Sequence, residues 1–216
     1  MTGKPIEAWM FTISGFTEGL GEHSGTISLW RKLRRYSSEV VCVQTPRVWD
    51  DRWDEIAAMV DRESAPDVRI LVCAYSWGAG HGFIKLARAL HRLGRRIETA
   101  VLCDPVYRSY TIFGRWLVLV PGLKIRVPAN VDDVFWLRQD GNRPRAHEPV
   151  TEMRYSETPG DPLEPITEIH AGIYVPGTVH CTIDDSVSYH GLALKEARRI
   201  TSEPPRNEQL GPILHN

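Results

Sequence analysis

The 216-residue chain is 42% hydrophobic and 25% charged, the balance of an ordinary soluble globular protein with one sizeable core. Its 26 Lys plus Arg offset 27 Asp plus Glu, and a formal charge of −1 supplies no field for a nucleic-acid backbone or an anionic bilayer. Apolar runs such as Trp116–Val120 stop far short of the roughly 20 residues that cross a bilayer, so no membrane span is expected.

The chain opens Met1-Thr2-Gly3-Lys4-Pro5 and goes straight into an apolar strand, Ile6–Ile13, without the pattern of a secretory signal; a cytoplasmic location is expected. A helix from about Ser24 to Tyr36 follows, whose Arg31, Lys32, Arg34 and Arg35 read as a solvated face in preference to a phosphate site. Val40–Val43 is the second strand. Trp53, Ile56, Ala57 and Val60 recur at i, i+3, i+4 and i+7 and predict a helix capped by Asp50 or Asp51 and finished before Pro66. Val68–Ala74 is the third strand; behind it Phe83, Leu86, Ala87 and Leu90 repeat the helical spacing up to a stop at Gly94. Further strands are expected at Thr99–Cys103, Val134–Leu137 and Ile173–Val175. A last helix carries Val187, His190, Gly191 and Leu194 on one stripe after Asp184, Asp185 and Ser186.

Strands about 30 residues apart, with helices between them, predict an α/β protein. Runs such as Val68–Ala74 do not alternate, so the sheet should be mostly parallel and covered on both faces. Residues 1–201 read as one domain. Residues 107–130 are apolar and aromatic without a period, an excursion that either covers a site as a lid or packs on the core or a second subunit. Residues 140–165 read as loops and 202–216 as a loosely docked tail. Cys42, Cys73 and Cys103 lie in strand runs and read as reduced core residues, and Cys181 as a small packing residue; with no Cys-x-x-Cys there is no zinc or redox signature.

The informative stretch is Val72-Cys73-Ala74-Tyr75-Ser76-Trp77-Gly78-Ala79-Gly80, where a strand, a serine and a helix follow one another. A serine on a sharp strand-to-helix turn needs small residues two before and two after it, and Ala74 and Gly78 meet that demand. A dinucleotide fingerprint fails because Phe83 stands where the third glycine belongs, and the Gly15–Gly21 segment lacks the Lys-Ser/Thr ending of a phosphate loop. No cofactor and no metal are expected.

With its Ala-x-Ser-x-Gly pentad the chain resembles the α/β-hydrolase superfamily over about Ile6 to Ile200, in a small, cutinase-like or thioesterase-like version with no hairpin before the first strand. The resemblance implies a three-layer α/β/α sandwich with a mostly parallel sheet of about six strands. It implies Ser76 as nucleophile and the chain order serine, acid, histidine.

Of eight histidines, His180 follows the last strand and precedes the last helix, where the base belongs, and Asp184 and Asp185 would cap that helix. His190 reads as packed; His170 precedes the last strand, His81 and His91 lie on the helix after Ser76, and His23, His147 and His215 default to the surface. Asp104, at the end of the strand after the turn, is the first choice of acid, and Asp140, one strand later, its competitor. The resemblance puts the oxyanion donors at the backbone N–H of Trp77 and of Phe16, with Thr17 next. Glu18 and Glu22 read as solvated loop residues. A serine hydrolase of carboxylic esters or thioesters is expected, with a small-molecule acyl substrate; hydrolysis of a peptide, or acyl transfer to an acceptor other than water, stays open. The alternative is a non-catalytic scaffold of the same fold.

Overall fold

The computed structural model describes residues 4–16, 24–107, 122–152 and 167–202. Thr17, Glu18, Glu22, His23, residues 108–121 of the excursion, residues 153–166, and the tail from residue 203 with His215 lie outside them. In chain order the elements are β1 (Ile6–Ser14), α1 (Gly25–Leu33), β2 (Val41–Val43), β3 (Arg47–Val48), α2 (Trp53–Glu63), β4 (Ser64–Tyr75), α3 (Phe83–Arg92), β5 (Ile97–Cys103), β6 (Lys124–Val127), β7 (Val131–Arg138), β8 (Glu148–Thr151), β9 (Glu168–Ile169), β10 (Ile173–Tyr174) and α4 (Val187–Ser202).

Eight strands form one sheet, ordered β10-β7-β5-β4-β1-β2, with β3 added to β1 and β9 to β7; every described pairing is parallel. The protein is therefore of the α/β class. The sheet is wider than six strands because β3 and β9, only two residues each, extend a six-strand path. A second, two-stranded parallel sheet, β6-β8, falls in segments expected to be an excursion and a loop. Its alternating burial at Lys124–Val127, exposed then buried, is a half-covered strand too short to stand out in the sequence.

Side chains alternate across β1, so Trp9, Phe11 and Ile13 meet α2 and α3 on one face, while Ala8 and Met10 meet α1 and α4 on the other. Ile70–Ala74 in β4 are fully buried, which is why that run shows no polar alternation. α1 starts where Ser24 accepts a hydrogen bond from the Ile27 N–H. The cap of α2 is a correction: Arg52 precedes the helix with no side-chain cap, and Asp51 accepts from the Arg52 N–H instead. On α4 the buried stripe runs Tyr189, His190, Ala193, Ala197 and Ile200, while Val187 is 89% exposed. Ser186, and not the aspartates, caps that helix through the Tyr189 N–H. Cys181 is exposed and Cys42 only half-buried, against the packed positions expected; Cys73 and Cys103 are buried, and none of the four cysteines is in a disulfide.

α4 is tied to the sheet by charge as well as packing. Arg69 of β4 grips Glu98 of β5 with two bonds of 2.5 Å, and Arg199 reaches the same carboxylate at 2.6 Å. Burial pushes the Glu98 carboxyl up, but the two guanidinium groups outweigh it and hold the group below its ordinary 4.5. Its stabilising contribution is whole above about pH 4.5 and is lost as pH falls below that. Among the described residues no helix is long and apolar enough to cross a membrane.

Candidate active site

The connections after β1 and β4 leave in opposite directions, toward β2 and toward β5, although the two strands are neighbours. A crevice opens where such loops part, and it is there that open α/β sheets bind ligands. Ser76 stands at this point, directly after β4. It and Asp104 are the two described non-glycine residues with positive φ, at 53° and 43°. Such a conformation costs on the order of 1 to 3 kcal/mol and persists only when its surroundings enforce it.

The enforcement is visible. A Cβ on Gly78 would lie 2.5 Å from the Ser14 carbonyl oxygen, so only glycine lets the helix start press against the end of β1. A Cβ on Gly80 would collide with the Val106 carbonyl, and the Val106 N–H donates to the Ser76 carbonyl at 3.0 Å. The loop carrying Asp104 is thereby clamped to the serine corner. Gly78–Gly82 form one wide π-helical turn before α3, where the sequence suggested a plain helix start.

Ser76, His180 and Asp104 are brought together. His180 Nε2 is 2.8 Å from Ser76 Oγ, and its Nδ1 is 2.5 Å from Asp104 Oδ2. An ionised carboxylate only accepts, so the ring proton sits on Nδ1 and the Nε2 lone pair receives the Ser76 hydroxyl. Asp104 is fully buried and the His180 side chain 15% exposed, which keeps the pair at low dielectric with the imidazole edge open to a reactant. A hydroxyl so placed can release its proton to Nε2 as it adds to an electrophile.

Asp140 is not part of this chain of bonds. It is exposed and accepts from the Tyr174 hydroxyl at 2.7 Å. His147, expected at the surface, is buried: its N–H donates to the Pro105 carbonyl and its Nδ1 accepts from the Tyr107 N–H, so it braces the loop after Asp104. His190 is packed as expected, between Lys32 and the Gly25 carbonyl. Three polar residues that no motif flags hold His180 and Asp104. Tyr75 donates its hydroxyl to the His180 carbonyl at 2.6 Å, Asn142 accepts from the His180 N–H at 2.7 Å, and Gln139 bonds Asp104 at 3.0 Å.

The loop after β1 touches the serine: a Cβ on Gly15 would lie 2.9 Å from the Ser76 Cβ. Phe16 follows, half-exposed, with its ring 5.1 Å from Trp77. Trp77 stacks on Trp49 at 3.8 Å, and His81 borders both. Burial, aided by Lys85 and opposed by Asp50, pushes His81 down to about 4. A histidine kept neutral in the fold takes its proton more readily once the chain unfolds, so stability should fall as pH drops from 6.5 toward 4. Thermal melts of His81→Gln should show a smaller loss of Tm across that window than the wild-type protein.

One group of described residues has donor atoms close enough to share a cation: Asp133, Glu168 and His170, within 4.8 Å of one another. Asp133 pairs with Thr99 near the start of β5, four residues before Cys103 at the Asp104 end, so this group is separate from the serine site. No protein-family model matches the chain, and no curated protein matches it in sequence.

Proposed function

We propose that the chain is a serine hydrolase of the α/β-hydrolase superfamily, a compact three-layer α/β/α sandwich that cleaves a carboxylic ester or thioester through an acyl-enzyme on Ser76. The observation that carries this reading is the unbroken line Ser76 Oγ, His180 ring, Asp104 carboxylate, with the serine held at positive φ.

Ser76 Oγ attacks the acyl carbon while its proton passes to His180 Nε2. Asp104 stabilises the imidazolium, and the Trp77 and Phe16 N–H groups receive the oxyanion. The tetrahedral species collapses, the bond to the alcohol or thiol breaks, and Nε2 returns the proton to that leaving group. Water then gives a proton to Nε2 and attacks the Ser76 ester; the acid departs and the serine regains its hydrogen. Phe16, Trp49 and Trp77 beside the serine support an apolar group on the substrate.

A fluorophosphonate probe tests the reading. Oγ should displace fluoride from phosphorus and leave one phosphonyl group, mapped by peptide mass to Ser76, and p-nitrophenyl esters should be hydrolysed. No adduct and no turnover across acyl chain lengths would mean a non-catalytic scaffold.

A further inference from the structure

Asp104 and Gln139 are the first residues beyond two neighbouring strands, β5 and β7, which are in register at Cys103 and Leu137. Gln139 is 3% exposed. Its Nε2 donates to Asp104 Oδ2 at 3.0 Å, to the Pro144 carbonyl at 3.0 Å and to the Asn142 carbonyl at 3.3 Å, while its Oε1 accepts the Asn142 N–H at 3.1 Å. A primary amide has two hydrogens: one faces the carboxylate and the other is shared by the two carbonyls. The orientation is unambiguous, because reversing the amide would set an oxygen against three acceptors.

Asn142, held by that amide, spends its own Oδ1 on the His180 N–H. One side chain thus connects the carboxylate at one end of the relay to the backbone that carries the imidazole. Both hydrogen bonds to the carboxylate fall on Oδ2, whereas Oδ1 is buried with no hydrogen-bond partner among the described residues. A carboxylate anchored at one oxygen could turn unless a second donor fixed that oxygen.

We infer that Gln139 is the positioning residue of the relay: it keeps Asp104 Oδ2 turned toward His180 Nδ1 and, through Asn142, sets the height of the imidazole above Ser76. This role rests on the hydrolase reading for its effect on rate, but not for its effect on the Nδ1 proton. A buried glutamine that only plugged the loop would influence melting temperature and neither of those.

Two substitutions separate the cases. Gln139→Glu keeps the shape but sets a second carboxyl against Asp104. At low pH the pair shares one proton and one charge, so Asp104 is no longer a full carboxylate toward Nδ1. That proton leaves only at a raised carboxyl pKa, and the two charges left behind raise the imidazole pKa, so activity needs a higher pH. The acid limb of kcat/KM should move up by about one pH unit. Gln139→Met removes the bonds at similar volume and should lower kcat on the order of 10²-fold, as a displaced catalytic group does, with KM within twofold.

The proton on His180 Nδ1 is read directly by its far-downfield NMR signal in the resting protein. That signal should shift or vanish in Gln139→Met at temperatures where circular dichroism shows the protein folded. An unshifted signal in folded Gln139→Met, or an unmoved acid limb together with kcat within twofold of the wild type, overturns the inference. If Gln139→Glu does not fold, the methionine variant decides alone. A shifted Nδ1 signal in a protein whose wild type neither hydrolyses esters nor takes the probe would sink the hydrolase reading and leave the positioning role standing.

Discussion

Ser76→Ala is expected to lower kcat/KM for a p-nitrophenyl ester by about 10⁵- to 10⁶-fold, with His180→Ala close behind and the double variant no worse than either. In the proposed mechanism the two groups make one nucleophile: Oγ is inert at neutral pH unless Nε2, 2.8 Å away, takes its proton, and Nε2 has no substrate to act on without Oγ. What survives should be the residual catalysis of the backbone donors and binding, roughly 10³-fold over water. Both variants should fold, since alanine removes one hydroxyl at a serine 8% exposed and a ring at the surface edge of the site. Additive losses in the double variant, or a Ser76→Ala protein that still hydrolyses and takes the probe, would mean that another nucleophile does the work.

The second large effect separates the two aspartates. Asp104→Asn should cost on the order of 10⁴-fold in kcat, whereas Asp140→Asn should stay within twofold. Asparagine matches aspartate in shape and tolerates positive φ, so the backbone at 43° need not change. What changes is the charge. An amide NH₂ turned toward Nδ1 reverses the tautomer and puts the ring proton on Nε2, where the serine needs a lone pair; an amide oxygen there preserves the tautomer but carries no charge for the imidazolium. Among the described residues Asp140 accepts from the Tyr174 hydroxyl, on the exposed edge strand β10, and does not bond His180. A dead Asp140→Asn enzyme beside an active Asp104→Asn one would reverse the assignment.

How much of this was legible depended on whether a residue's signal was local. The corner at Ser76 could be read because its requirements lie within five residues: the small residue demanded at position 78 is the glycine that meets the Ser14 carbonyl. β4 and β5 could be read because burial on both faces leaves continuous apolar runs. By contrast β3 and β9 are two-residue strands whose identity comes from the neighbour they pair with, and β6 and β8 pair across a gap of twenty residues. His147 looked like any polar loop residue, because its partners, Pro105 and Tyr107, are forty residues away in sequence and adjacent only after folding.

The order of the longer strands and of the helices, the strained turn and the short list of acid and base residues follow from the sequence alone, since backbone propensity, hydrophobic period and glycine sterics act over a few positions. Which aspartate meets the imidazole, and which amide holds it there, was decided by β5 and β7 lying side by side. Register between strands comes from packing over the whole core, and a one-residue slip would have sent those side chains to the other face.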